Sequence, residues 1–137
     1  MTAFVIDASV VVAWALAEDH PDAISALERT HRDEVRVPVL WWFEVRNALL
    51  VNERRRRISR ADTALFLRSL SRLALTIGSL PDESEVLAIA RRYRLTIYDA
   101  SYLELALRDG VPLATLDAEL RRAAHRERVP LLAAGFG

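Results

Sequence analysis

The stretch Phe4-Val5-Ile6-Asp7-Ala8-Ser9 joins an apolar run to an acid and a small polar residue directly behind it. A short run of apolar, partly β-branched residues is typical of a strand that is buried on both faces. Asp7 therefore falls at the carboxyl end of the predicted strand, the edge at which open α/β sheets bind ligands. The alternative is that Asp7 caps the helix predicted from about Ser9 to Ala17, because aspartate is a favoured N-cap residue.

Strand and helix patterns alternate along the rest of the chain. Further strands are predicted at Val35–Val39, Leu73–Ile77, Val111–Thr115 and Val129–Leu132. Further helices are predicted to begin at Pro21, to run from Leu40 to Arg57, to follow a cap at Ser59, to open at Pro81, to run from Asp99 or Ser101 to Gly110, and to run from Asp117 to Arg126. Alternating strands and helices predict an α/β protein with a largely parallel sheet covered by helices. We expect a single domain over residues 1–137.

Details of these helices are also predicted by local patterns. In the helix that begins at Pro21, the spacing of Ile24, Leu27 and His31 predicts one inward-facing stripe. Ser101 with Glu104 forms a plausible capping box for the helix near Asp99, and Thr115 is free to cap the helix near Asp117. If these neighbours do the capping, Asp99 and Asp117 need a different explanation.

Glu44 interrupts an otherwise apolar segment, Trp41-Trp42-Phe43-Glu44-Val45. Helical spacing places it on a stripe with Trp41, Ala48 and Val51. An unpaired buried carboxylate costs several kcal/mol, so a partner must neutralise it. That partner is either a nearby arginine or, in the functional interpretation, a metal ion or a proton.

Composition excludes several kinds of chemistry. The 137 residues carry no cysteine, so no disulfide, thiolate zinc site or cysteine nucleophile is available. All 19 basic residues are arginine, which excludes a catalytic lysine, and the net charge is zero. Neither a basic leader nor an apolar stretch of roughly 20 residues is present, so we expect a soluble, cytoplasmic protein with no membrane association.

Asp7, Asp99 and Asp117 each fall beyond a predicted strand or at a helix start, and Glu44 is the fourth unexplained acid. Because the ends of parallel strands fall on one edge of a sheet, folding could bring these carboxylates together. Carboxylates at close range repel unless a cation lies among them. Hard oxygen ligands select Mg²⁺, with Mn²⁺ as a substitute, rather than zinc.

The residues around these acids resemble the four acidic motifs of the PIN-domain nucleases. The matching segments are Val5-Ile6-Asp7-Ala8-Ser9, Trp42-Phe43-Glu44-Val45-Arg46-Asn47-Ala48, Tyr98-Asp99-Ala100-Ser101-Tyr102 and Ala114-Thr115-Leu116-Asp117. They occur in order over nearly the full length. Within that family the chain is most similar to the VapC toxins of bacterial toxin–antitoxin pairs.

The resemblance implies a fold, an activity and a set of roles. The implied fold is a PIN-like three-layer arrangement with a five-stranded, mostly parallel sheet flanked by about seven helices. The implied activity is Mg²⁺-dependent endoribonuclease cleavage that leaves a 5′-phosphate and a 3′-hydroxyl, inhibited by a VapB-type antitoxin. Asp7 and Asp99 would be the principal metal ligands, Glu44 and Asp117 would complete the catalytic pocket, and Ser9 and Thr115 match polar positions beside them.

RNA recognition and partner binding would need further residues. Single-stranded or loop RNA is the expected substrate, because A-form duplexes hide their base edges. Arg46 is a candidate RNA contact on the helix of Glu44, and the run Arg54–Arg57 is interpreted as a solvated helix end. Trp41-Trp42-Phe43 and the leucines of Ala61–Leu75 pack in the core or, as the resemblance implies, form a homodimer surface or an antitoxin groove.

Other functions compete with this interpretation. A receiver-like signalling domain would need a lysine, and a haloacid-dehalogenase-type phosphatase would need an acid where Ser9 stands. The main alternative is a non-enzymatic interaction domain whose acidic groove binds an arginine-rich partner peptide. Metal-dependent cleavage of RNA separates that alternative from a nuclease.

Overall fold

The computed structural model describes residues 2–132. Four strands and seven helices follow one another in this part of the chain. In chain order they are β1 (Ala3–Ile6), α1 (Ala8–Ala15), α2 (Pro21–Arg29), β2 (Glu34–Val37), α3 (Leu40–Arg54), α4 (Arg60–Leu70), β3 (Leu75–Ile77), α5 (Glu83–Tyr93), α6 (Ile97–Asp109), β4 (Leu113–Ala114) and α7 (Ala118–Arg126). The predicted α/β class is confirmed.

The sheet is entirely parallel, with the strand order β3-β2-β1-β4. All four residues of β1 are buried. Because successive side chains of a strand point to opposite faces, both faces of the sheet are covered at β1. The central position of β1 follows from its apolar sequence, since parallel sheets bury their inner strands on both sides.

The five-stranded sheet expected from the sequence is one strand shorter in the described residues. The segment predicted as a last strand, Val129–Leu132, contributes a single parallel bridge between Leu131 and Leu113. Its partner β4 is only two residues long. A strand that short leaves too few backbone groups for a regular ladder with a fifth neighbour.

The helices meet the sheet through one hydrophobic core. Helix α6 packs on β1 and β4, and α1 packs against α2 and α3. The buried side chains of all these elements form a single cluster. None of the helices in residues 2–132 has the length and apolar character of a membrane-spanning helix.

Several local predictions are corrected by the structure. The inward stripe predicted for α2 is wrong, because Ile24 and Leu27 are exposed and the small residues Ala23 and Ala26 face the core. Helix α3 ends at Arg54, three residues before the predicted end, with Arg56 in a left-handed conformation. Ser59 caps α4 as predicted, accepting a hydrogen bond from the backbone N–H of Asp62.

Candidate active site

The register of β1 and β4 brings the first and last acidic motifs together. Ile6 is paired with Ala114, so Asp7 and Thr115 follow aligned strand ends. The backbone N–H of Asp7 donates to the carbonyl of Ala114 at 3.1 Å. The turns that follow β1 and β4 therefore lie side by side at the carboxyl edge of the sheet.

Asp7 is 5% exposed, and its two carboxylate oxygens are held by hydroxyl groups from these two turns. Ser9 Oγ donates to Oδ1 at 2.5 Å, and Thr115 Oγ1 donates to Oδ2. Each hydroxyl also accepts a backbone N–H, Ser9 from Leu116 at 3.0 Å and Thr115 from Asp117 at 3.1 Å. The two predicted polar positions are thus the supports of the buried carboxylate.

Burial raises the pKa of the Asp7 carboxyl to about 6 despite these hydrogen bonds. Asp7 also caps α1, since its Oδ1 accepts from the backbone N–H of Val10 at 3.3 Å. The alternative prediction, that Asp7 caps the first helix, is therefore confirmed. It does not explain the burial of the whole side chain, because an N-cap carboxylate can satisfy α1 from the surface.

Glu44 lies on α3 beside the hydroxyl of Tyr102 on α6. The tyrosine donates to Glu44 Oε1 at 2.5 Å, across 58 positions of the chain. Burial raises the pKa of Glu44, the hydrogen bond from Tyr102 lowers it, and the negative charge of Asp99 raises it. Burial together with the charges of Glu44 and Asp7 raises the pKa of Tyr102, which stays protonated and donates.

Asp99 lies in the first turn of α6. The predicted start of this helix and its Ser101–Glu104 capping box are wrong: α6 begins at Ile97, and Thr96 caps it by accepting from the backbone N–H of Asp99 at 3.1 Å. Ser101 instead bonds the carbonyl of Ile97. As expected, Asp99 does not cap this helix, although the cap is Thr96 and not Ser101.

The carboxylate of Asp99 interacts electrostatically with neighbouring acids. Burial is the largest cause of the raised pKa of Asp99, and the charges of Asp117 and Glu119 raise it further. Asp117 itself caps α7 by accepting from the backbone N–H of Leu120 at 3.2 Å, so the expectation that Thr115 caps this helix is wrong. The carboxylate of Asp117 therefore caps α7 and also raises the pKa of Asp99.

No arginine of residues 2–132 forms an ion pair with Asp7, Glu44, Asp99 or Asp117. Other buried acids of this chain behave differently. Glu104 on α6 pairs with Arg108 at 2.9 Å, and Asp33 pairs with Arg29 at 2.8 Å. The four acids predicted from the sequence therefore have no cationic partner within residues 2–132.

The donor set suits a hard divalent cation, since it consists of carboxylate and hydroxyl oxygens without sulfur or imidazole. In the present arrangement, no three acidic or histidine side chains of the described chain surround a common point at metal-binding distance. The hydrogen bonds of Asp7 to Ser9 and Thr115 engage both of its oxygens. Binding of an ion by three or more of the acids would therefore require side-chain rotations.

Arg46 does not face these acids. Two residues of an α-helix span about 200°, so Arg46 projects from the side of α3 opposite Glu44. Its guanidinium lies 4.1 Å from the ring centroid of Trp42 and donates to the carbonyl of that residue. Its position offers no support for the predicted RNA contact beside the acids.

Two side chains of the site were not predicted. Tyr102 could have been found, because it lies three residues after Asp99 on the same face of α6. Glu119 follows Asp117 by two residues in α7 and resembles an ordinary first-turn acid. No local sequence signal distinguishes its influence on Asp99.

A model of the PIN domain family matches residues 4–126. Two curated relatives come from Pyrobaculum aerophilum. Exonuclease VapC9 is 34% identical over 85% of this chain and 82% of its own length, and Ribonuclease VapC3 is 28% identical over 85% and 90%.

Solved structures show a similar fold. The crystal structure of PAE2754 from Pyrobaculum aerophilum matches with a TM-score of 0.69 and 29% identity over 89% of this chain and 86% of that one. The crystal structure of VapBC2 from Rickettsia felis, bound to a DNA fragment from their promoter, matches with a TM-score of 0.61 and 13% identity over 95% and 97%. The second likeness concerns the fold alone.

Proposed function

This chain belongs to the PIN domain family, and on that premise we propose that it is a metal-dependent endoribonuclease that acts as the toxin of a type II toxin–antitoxin pair. The observation that carries the proposal is the set of four acids without an arginine partner, three of which have raised pKa values. A divalent cation would offset the repulsion of Asp99 by Asp117 and of Glu44 by Asp99, and it would favour the ionised form of the buried Asp7 carboxyl.

We assign the cation to Asp7 and Asp99, with Asp117 and Glu44 completing the site. Mg²⁺ is the expected ion, and Mn²⁺ is expected to substitute. A bound ion would supply Lewis acidity and positive charge beside the scissile phosphate of RNA. The chain's own residues would hold the ligands in place: Ser9 and Thr115 fix the Asp7 carboxylate.

Tyr102 has a separate part in this proposal. By donating to Oε1 of Glu44, it favours the ionised carboxylate and leaves the other oxygen free to accept a proton or orient a water molecule. Burial keeps bulk water away from Asp7 and strengthens the charge interactions of its carboxylate.

An antitoxin of the VapB type and a second copy of this chain are the proposed partners. Trp42 and Phe43 are 43% and 63% exposed and stack edge to face, and Leu65 on α4 is 57% exposed. Trp41, by contrast, is buried in the core. Apolar side chains exposed to this degree on two helices that are consecutive in the chain support a protein-binding surface.

The proposal is tested with a circular single-stranded RNA incubated with the protein and Mg²⁺, Mn²⁺ or EDTA. Cleavage with either metal and none in EDTA supports the endonuclease. A circle that stays intact while a linear RNA of the same sequence is shortened from its ends would make the protein an exonuclease, the activity named for the relative VapC9. No metal-dependent cleavage of either RNA would favour the non-enzymatic binding domain.

A further inference from the structure

A groove with basic walls lies between the end of α5 and one face of α7. Arg92, Tyr93 and Arg94 line one side, and Glu119, Arg122 and Arg126 line the other. All four arginines are exposed. No sequence motif predicted a function for this surface.

Both walls of the groove lead to the acidic pocket. On one side, Arg94 is followed after two residues by α6, whose first turn carries Asp99. On the other side, Asp117 caps α7, and Arg122 and Arg126 follow along one face of that helix. From Asp117 to Arg126 the axis of α7 advances about 14 Å.

Glu119 links the groove to the pocket. It lines the groove, and its charge also acts on Asp99. The end of the groove nearest the start of α7 therefore opens beside the acids, whereas Arg126 marks its far end.

The charge of the groove fits an anion. Arg94 and Arg126 form no ion pair with any acid of residues 2–132. Arg92 pairs with Glu127 at 2.9 Å and Arg122 with Glu119 at 3.7 Å, both with exposed guanidinium groups that remain open to a further acceptor. Guanidinium groups bind phosphate oxygens through paired hydrogen bonds.

Arg94 occupies a backbone position that favours glycine. It ends α5 in the left-handed conformation, with φ of 54°, whereas the corresponding position at the end of α6 is Gly110. An L side chain at such a position carries backbone strain.

We propose that the α5–α7 groove binds the phosphate backbone of a single-stranded RNA and leads the strand to the carboxylates. This inference rests on the proposed ribonuclease function. Arg94, Arg122 and Arg126 are positioning residues, since they contact phosphates away from the bond that is cleaved. Arginine walls of this kind give affinity that depends on salt and little on base sequence.

The chain offers a matched pair of variants for the test. Arg94→Gly removes one guanidinium from the groove and relieves a left-handed residue. Arg56→Gly removes one guanidinium and relieves a left-handed residue, with φ of 58°, at the end of α3. Both variants are expected to fold, and thermal melting followed by circular dichroism checks this.

Binding is measured by fluorescence anisotropy with a 5′-labelled single-stranded RNA in EDTA, over a series of salt concentrations. We expect Arg94→Gly to weaken binding about fivefold at low salt and to reduce the slope of log K against log salt by about 0.7. Arg56→Gly should leave both unchanged. In cleavage assays with Mg²⁺, Arg94→Gly should raise KM while kcat is retained.

Equal effects of the two variants, or no effect of Arg94→Gly, would overturn the groove, while metal-dependent cleavage by the wild-type protein would still support the nuclease. Absence of cleavage together with weaker RNA binding by Arg94→Gly would overturn the nuclease and support the groove as an RNA-binding surface. Tighter binding of labelled polyglutamate than of RNA, lost in Arg94→Gly, would make the groove a site for an acidic protein segment and overturn the proposal.

Discussion

Thr115 donates its hydroxyl hydrogen to Oδ2 of Asp7 across 108 positions of the chain, and both side chains are buried. The contact depends on the pairing of Ile6 with Ala114, which aligns the ends of β1 and β4. The same hydroxyl accepts the backbone N–H of Asp117. One threonine thus connects two of the four acids.

Replacing Thr115 by valine should destabilise the protein by about 1–3 kcal/mol, because a buried carboxylate oxygen and the N–H of Asp117 each lose a partner. The loss should be larger at pH 7.5 than at pH 5, since the hydrogen bond from Thr115 lowers the pKa of Asp7. Urea unfolding measures both values. The matched control is Thr76→Val, which removes a threonine–carboxylate bond to Glu34 at the exposed edge of the sheet. Equal losses in the two variants would contradict the role of burial.

Asp7 should make the metal-free protein less stable as the pH rises. Burial raises the pKa of its carboxyl from 3.8 to about 6, so the associated stability is complete below pH 3.8 and is lost as the pH passes 6. The difference corresponds to about 3 kcal/mol. Asp7→Asn removes this titration, and in EDTA at pH 7.5 the variant should be more stable than the wild type. Urea unfolding at a series of pH values measures the free energy of unfolding of both proteins. If the two pH profiles run parallel, Asp7 does not cause the loss of stability.

Tyr102→Phe should shift the pH dependence of RNA cleavage. The hydrogen bond from Tyr102 lowers the pKa of Glu44, so its removal leaves the opposing effects of burial and of Asp99 unbalanced. The acidic limb of the kcat/KM profile should move to higher pH, with a stability cost of about 1 kcal/mol. Thr76→Val, which removes a hydroxyl–carboxylate bond to Glu34 at the exposed edge of the sheet, away from the acids and from the α5–α7 groove, is the control. An unchanged acidic limb would show that Tyr102 acts on stability alone.

Local patterns were sufficient to predict much of the fold. The apolar run before Asp7 identified β1, and Ser59 identified the start of α4, because both signals lie within a few residues. The stripe of α2 failed for the opposite reason. Periodicity ranked Ile24 and Leu27 by hydrophobicity, whereas close packing of α2 selected Ala23 and Ala26.

The assembly of the site could be predicted only in part. The positions of three aspartates at strand or helix ends could be predicted from the sequence. The proximity of Asp7 to Thr115 could not, because it depends on the strand order β2-β1-β4. The bond between Tyr102 and Glu44 depends on the packing of α6 relative to α3, which no local signal encodes. Arg46 was selected for its closeness in sequence to Glu44, whereas helical rotation turns it to the other side of α3.

The central claim is that four acids distant in the chain act together as one divalent-cation site, and titration of Mn²⁺ followed by electron paramagnetic resonance tests it directly. The protein is compared with Asp7→Asn, Asp99→Asn and, as a control, Glu83→Gln at the opposite end of α5 from Arg94. We predict saturable binding by the wild type and by Glu83→Gln, and at least tenfold weaker binding in both aspartate variants. Binding that is the same in all four proteins, or absent from the wild type, would contradict the account.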